Sequence, residues 1–240
     1  MRRTICALAA GALAVGAGCA APAPAPAIPE PYWLVATGCA VGAVLPAVDA
    51  LVATGLRDTG YRRIVVESCA ASVDRVAAED AVRARGVALS TSMPERGALI
   101  RLRDTSSPVA LRTELTAALM ASRPWVLSGP PGELSPTTRA VVANEDVLEL
   151  VRDERAARGG TVRENADEVI RSRANGLKGL IVALTNRRDQ PADVTVAVGA
   201  LGLSGTIRGF DAWSGQRFEW RDGRLGGLVG AGDTLLIRIT

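Results

Sequence analysis

The chain contains no histidine in 240 residues. That absence removes the imidazole base of Ser-His and Cys-His nucleophile systems and the commonest metal ligand. Lysine is almost as scarce: Lys178 is the only one, so the basic residues are nearly all arginine. With 28 basic and 25 acidic residues the formal charge is +3, and setting aside Arg2 and Arg3 leaves 26 − 25 = +1. No cationic surplus is present to recruit nucleic acid. Of the four cysteines, Cys6 and Cys19 fall within the first nineteen residues and leave only Cys39 and Cys69, too few for a zinc cluster, so neither a metal nor a cofactor is expected. Aromatic residues make up 3% of the chain, and Phe210, Trp213, Phe218 and Trp220 are concentrated in one short stretch. Such a cluster fills a sheet core and pairs across strands, or offers stacking faces to a sugar.

No apolar run at the start of the chain is long enough to span a bilayer. Residues 1–19 have instead the pattern of an export signal: Arg2 and Arg3, an apolar run over 5–15, then small residues up to Cys19. The segment VGAGC at 15–19 resembles a bacterial lipoprotein box, which implies lipidation of Cys19; the alternative is simple cleavage and secretion. Residues 20–31 alternate alanine with proline and form an extended linker. The expected localisation is therefore exported, either anchored to a membrane through the lipid alone or secreted. In an oxidising compartment Cys39 and Cys69 remain as a pair, either bridged or as two buried thiols.

From residue 32 to about 158 the texture alternates between strand and helix. Val48, Leu51, Val52 and Leu56 recur at helical spacing, with Pro46 suited to the first turn and Gly60 to the stop. Ile64-Val65-Val66 is a short apolar run of the kind buried on both faces of a parallel sheet. Further strands are expected at 87–90, 98–102 and 125–128, and further helices at 74–85, after Ser107-Pro108 and after Ser135-Pro136. Repeated βα order indicates an α/β layer with parallel strands. Over 159–240 the pattern changes to short strand-like runs parted by turn signals such as Asp189-Gln190-Pro191, Ser214-Gly215 and Asp222-Gly223, which reads as an antiparallel β-sandwich.

Two segments carry a family resemblance. LVATGLRDTGYRRIVVESC, residues 51–69, resembles the second βα step of glycoside hydrolase family 27, the α-galactosidases and α-N-acetylgalactosaminidases. Residues 112–148, with LSPT at 134–137 and NEDV at 144–147, resemble the last helix-strand-helix of the same barrel, and the C-terminal runs resemble its β-domain. The resemblance implies an incomplete (β/α)₈ barrel over 32–158 followed by a β-sandwich over 159–240. It also implies a disulfide between Cys39 and Cys69, whose separation of 69 − 39 = 30 residues suits the family's bridge.

The family's strand ends in Asp-Asp-Cys, whose carboxylates hold galactose hydroxyls, whereas this chain has Glu67-Ser68-Cys69. Glu67 and Ser68 are thus candidate sugar contacts, and Trp33, near the family's first-strand tryptophan, is a candidate stacking platform against a plain packing role. The α/β region spans only 158 − 32 + 1 = 127 residues, against roughly 200 or more for a whole barrel. The strands matching the family's fourth to sixth, which carry its catalytic aspartates, are absent, so no catalytic residue is assigned. The expected function is an exported, catalytically inactive α-galactosidase-like protein with at most weak binding of a galactoside. Alternatives are an active hydrolase of terminal α-galactosides and a self-associating surface lipoprotein. In the exported protein, mass spectrometry of non-reduced peptides should find Cys39 joined to Cys69, and Cys39→Ser should cost roughly 3 to 4 kcal/mol of stability.

Overall fold

The computed structural model of the protein describes residues 30–35, 40–66, 73–102, 107–153, 159–176 and 179–239. In chain order the first part comprises β1 (Tyr32–Val35), α1 (Val41–Ala53), α2 (Leu56–Thr59), β2 (Arg63–Val66), α3 (Val73–Arg83), β3 (Ala88–Ser90), β4 (Ala98–Arg101), α4 (Pro108–Met120), β5 (Trp125–Ser128), α5 (Pro136–Val142) and α6 (Glu145–Val151). The second part comprises β6 (Gly160–Glu164), β7 (Glu168–Asn175), β8 (Gly179–Asn186), β9 (Ala192–Ala197), β10 (Ile207–Asp211), β11 (Arg217–Trp220), β12 (Arg224–Val229) and β13 (Thr234–Ile239). This is the expected α/β layer followed by antiparallel sheets.

Strands β1 to β5 form one parallel sheet in the order β3-β2-β1-β5-β4. In a (β/α)₈ ring each strand pairs with its neighbour in the chain, and the last pairs with the first. Here β5 pairs with β1, Tyr32 opposite Val126, and every other chain neighbour pairs except β3 with β4. The sheet is therefore an arc of such a ring, opened at one place. Residues 91–97, seven in all, link the two open edges, whereas a parallel crossover ordinarily takes a dozen or more.

Alternation along the strands assigns their two faces. Trp33, Ile64, Val66, Trp125 and Leu127 point outward into the main core with the helices. Leu34, Val65 and Val126 form a small buried cluster on the inner face, with Tyr32 and Leu99 against it. The linking loop packs there: a Cβ on Gly97 would come within 3.0 Å of Val126 Cγ2. Among the described residues the only large apolar side chains that are exposed are Val76, Met93 and Leu228. Among the described residues the opened arc thus covers its apolar surface.

Two local expectations need correction. The first helix begins at Val41, with Ala40 O accepting from Ala43 N and Val44 N, so Pro46 lies inside it and not in its first turn. Its tertiary setting outweighs the one backbone bond that proline removes. Ser107 precedes α4 as expected, but its side chain makes no capping bond. Ser135 and Asn144 do cap, accepting from Thr138 N and Val147 N.

The six-stranded sheet runs β11-β10-β13-β8-β7-β6, and β12 and β9 form a two-stranded sheet. Ile170, Val182, Leu184, Val194, Val196 and Ile237 belong to the core between them. The opposite face of the large sheet is also buried: Ile181, Ala183 and Leu236 belong to the same core as Leu115 and Leu119 of α4. Helix α4 therefore lies between two sheets, which is why it buries Leu111, Leu115, Thr116, Ala118, Leu119 and Met120 and has no single apolar stripe.

One buried cation fastens this layer. Arg173 of β7 is 4% exposed and donates from Nη1 to Leu119 O at 2.7 Å and from Nη2 to Leu150 O at 2.9 Å. Those carbonyls lie in the last turns of α4 and α6, where helix carbonyls lack intrahelical partners and the helix dipole is negative. Burial lowers the guanidinium's proton affinity, while the Asp153 carboxylate works the other way. Arg173→Met should cost about 3 kcal/mol in urea unfolding, because it removes a charge-assisted bond from each of two buried carbonyls, which keep only their bonds from Ser122 N and Asp153 N. Arg173→Lys should recover only part of the loss, since one ammonium cannot reproduce the fork geometry.

Candidate functional site

In a parallel α/β arrangement the strand C-termini are where ligands bind. Here those of β1 and β5 meet a loop, Gly129 to Glu133, that leans on α1. Trp33 positions this loop: its indole Nε1 donates to Gly129 O at 2.8 Å, across 96 residues of chain. Gly129 has φ +141°, and a Cβ there would stand 2.9 Å from Leu102 O, so a side chain would collide with the end of β4. Gly132 packs over Ala50, where a Cβ would find its neighbour at 3.5 Å.

The result is a cavity of ≈ 450 Å³ between α1 and the loop, with Leu34, Val35, Ala47, Ala50, Ser128 and Pro131 among its walls. Glu133, which is exposed, is the only charged residue among those described in its lining. This supplies an apolar floor, a hydroxyl and one carboxylate. Retaining glycoside hydrolysis requires two carboxyl groups about 5 Å apart, and inverting hydrolysis a wider pair. The described lining provides groups for binding and lacks that pair.

Of the residues singled out from the sequence, Glu67 and Ser68 follow directly on β2 but lie outside the described residues, as do Cys19, Cys39 and Cys69. Trp33 is wholly buried, and its ring meets Tyr61 edge-on at 5.5 Å and 77°. Of its two candidate roles Trp33 takes the packing one, because it stands on the outward, helix-facing side of β1. The Gly129–Glu133 loop was not expected as a site. Its signal was a proline- and glycine-rich stretch directly after a buried strand.

Comparison with solved structures identifies the arrangement. It matches α-galactosidase I from Mortierella vinacea with a TM-score of 0.75 and 11% identity, over 89% of this chain and 97% of that one. The fold is that of the α-galactosidases. A putative α-galactosidase/melibiase from Bacteroides fragilis gives a TM-score of 0.71 at 12% identity, covering 89% of this chain and 79% of that one. An α-galactosidase from Saccharomyces cerevisiae with raffinose gives 0.71 at 10%, covering 89% and 97%. No family model matches the chain, and no curated protein matches its sequence. The resemblance drawn from residues 51–69 and 112–148 thus holds for the α-galactosidase fold: a parallel barrel, here an arc, followed by antiparallel β-sheets.

Beneath the strand ends Tyr61 locks the glycine-tyrosine turn that starts β2. Its hydroxyl, wholly buried, donates to Val142 O at 2.8 Å. Burial pushes the phenol's pKa far above its ordinary value, and the positive charge of Arg152 only partly opposes this. A folded pKa raised above the unfolded value near 10 stabilises fully below about pH 10 and is lost as the pH rises further. Urea midpoints should therefore fall between about pH 10 and 11, and Tyr61→Phe should flatten that fall while costing about 1 kcal/mol at neutral pH.

Proposed function

We propose that the protein is an exported carbohydrate-binding relative of the α-galactosidases that does not hydrolyse glycosides. The observation that carries this reading is the opened strand ring. β3 and β4 are joined by residues 91–97 and leave no strand between them to bring a second carboxylate to the strand ends. The fold likeness supports a galactoside as the ligand class, and Glu67 with Ser68, directly after β2, is the polar pair assigned to it. Trp33, being buried, takes no part. The sequence of residues 1–19 supports export with a lipid on Cys19 as the sole membrane attachment, and the Cys39–Cys69 bridge belongs to the same exported state.

A second reading, self-association, draws support from the unpaired edges of β3 and β4, since open strand edges are templates for pairing with another chain. The covered apolar faces favour the first reading.

Calorimetry or ligand-observed NMR with galactose should give a Kd no tighter than about 1 mM, roughly −4 kcal/mol. Glu67→Ala should abolish that binding, and an aryl α-galactoside should not be turned over. Micromolar galactose binding lost in Glu67→Ala would show a fully retained site. Turnover abolished by Glu67→Gln would establish an active hydrolase in its place.

A further inference from the structure

The seam between α4 and the β-sheets holds a second site. Two cavities, of ≈ 290 and ≈ 320 Å³, lie along it and share Ala117 and Arg171 in their linings. The second opens beside β4, a sheet edge where a closed ring would continue with another strand and helix. Arg171 stands on the same face of β7 as the buried Arg173, two residues away. It is half-buried, yet its guanidinium makes no hydrogen bond or ion pair among the described residues. Among the described residues the other arginines without a partner, Arg62, Arg96, Arg101 and Arg217, are all exposed. A part-buried guanidinium with no acceptor in the protein keeps its donors free for water or a ligand in the space before it.

The surroundings define what that occupant is. Of the charged side chains lining the two cavities, Arg123, Arg171 and Arg187 are cationic and Glu114 alone is acidic. Arg187 is neutralised by Glu164 at 2.7 Å, while Arg123 donates only to the backbone oxygens of Arg96 and Gly97. Hydroxyls stand next to Arg171. Thr113 donates to Gly232 O at 2.9 Å and is bridged to Thr185 through Thr234 at 3.1 and 3.0 Å, which leaves lone pairs on Thr113 and Thr185 to accept, and the Thr116 hydroxyl accepts from Trp213 Nε1 at 2.9 Å, leaving its own proton to donate. Met120, Val169 and Ala183 add apolar surface. A guanidinium, several hydroxyls and an apolar floor in a cavity near the small end of ligand pockets suit one amphipathic, hydroxylated, anionic molecule.

We propose that this seam binds a monosaccharide acid, a hexuronate, with Arg171 as the partner of its carboxylate and Thr113 and Thr185 facing its hydroxyls. The site is separate from the strand ends and does not rest on galactoside binding there. Titrate the full chain with galacturonate, neutral galactose and inorganic phosphate, following ligand signals by NMR. Galacturonate should bind, more weakly as salt is raised. Arg171→Gln should weaken it at least about tenfold, the loss of a charge-assisted bond. Thr185→Val should weaken it by a smaller factor, Arg171→Lys should retain part of the affinity, and Glu67→Ala should leave it unchanged. An unchanged melting temperature in Arg171→Gln will show that the fold is intact. The proposal is overturned if galacturonate does not bind, or binds equally well to Arg171→Gln. Phosphate binding with the same Arg171 dependence and no preference for the sugar acid would make the seam a plain anion site and also overturn it.

Discussion

The placement of α4 between two sheets is the constraint on which the rest depends. Only Ala110, Glu114 and Ala117 of this helix are exposed, and the carbonyls of its covered last turn must find donors within the protein. Backbone N–H groups of Ala121, Ser122, Arg123 and Gly159 supply most of them, and Arg173 adds one more, reaching from β7 to Leu119 O and, through its other nitrogen, to the end of α6. The seam is further fixed by Arg112 with Asp233 at 2.6 Å and by Arg238 with Glu149 at 3.0 Å. Trp213 adds a bond from its indole to Thr116 at 2.9 Å, and its carbonyl accepts from Asn144 Nδ2 at 3.1 Å. With Ile181, Ala183 and Leu236 in the same core as Leu115, the parallel arc and the antiparallel sheet share one hydrophobic interior.

That shared interior gives a physical account of how an opened ring persists. The outer faces of β4 and β5 gain burial from α4, and α4 gains it from β8 and β13 on its other side. On the inner face a tight loop ending at Gly97 packs on Val126. Among the described residues the opening leaves backbone edges and no broad exposed apolar face. In a closed ring further strand ends would stand between those of β3 and β4.

Much of the element order was legible in the sequence because short apolar runs, Ser-Pro and Asn-Glu helix starts, and glycine stops each carry their own physical signal. β6 and β12 carry no such signal. β6 is mostly exposed and lacks an apolar alternation, while β12 contains Gly226 and Gly227, residues that ordinarily weaken a strand. In the folded chain Gly226 is required: a Cβ there would stand 2.2 Å from Val194 O, and its carbonyl accepts from Trp220 Nε1 at 2.9 Å. A glycine tolerated for close approach and one that ends a strand look alike until the partner strand is known. Trp33 illustrates the same limit, since its position on β1 does not reveal which face of the strand turns toward the helices.

The sequence by itself determined the two textures, the βα order, the shortness of the α/β region, the absence of histidine-based chemistry and the acid-hydroxyl pair Glu67-Ser68 directly after a buried apolar run. These are properties of composition, local periodicity and motif, which need no knowledge of distant contacts. Only the tertiary structure decided that β5 closes on β1, that β3 and β4 are the open edges, and that Trp33 is core. It alone brought Gly129, Arg171 and Arg173 to their places, because each depends on partners tens of residues away: Trp33 lies 96 residues from Gly129, and Arg173 54 from Leu119. Pairings at such separations are fixed by packing of the whole chain, which local pattern does not encode.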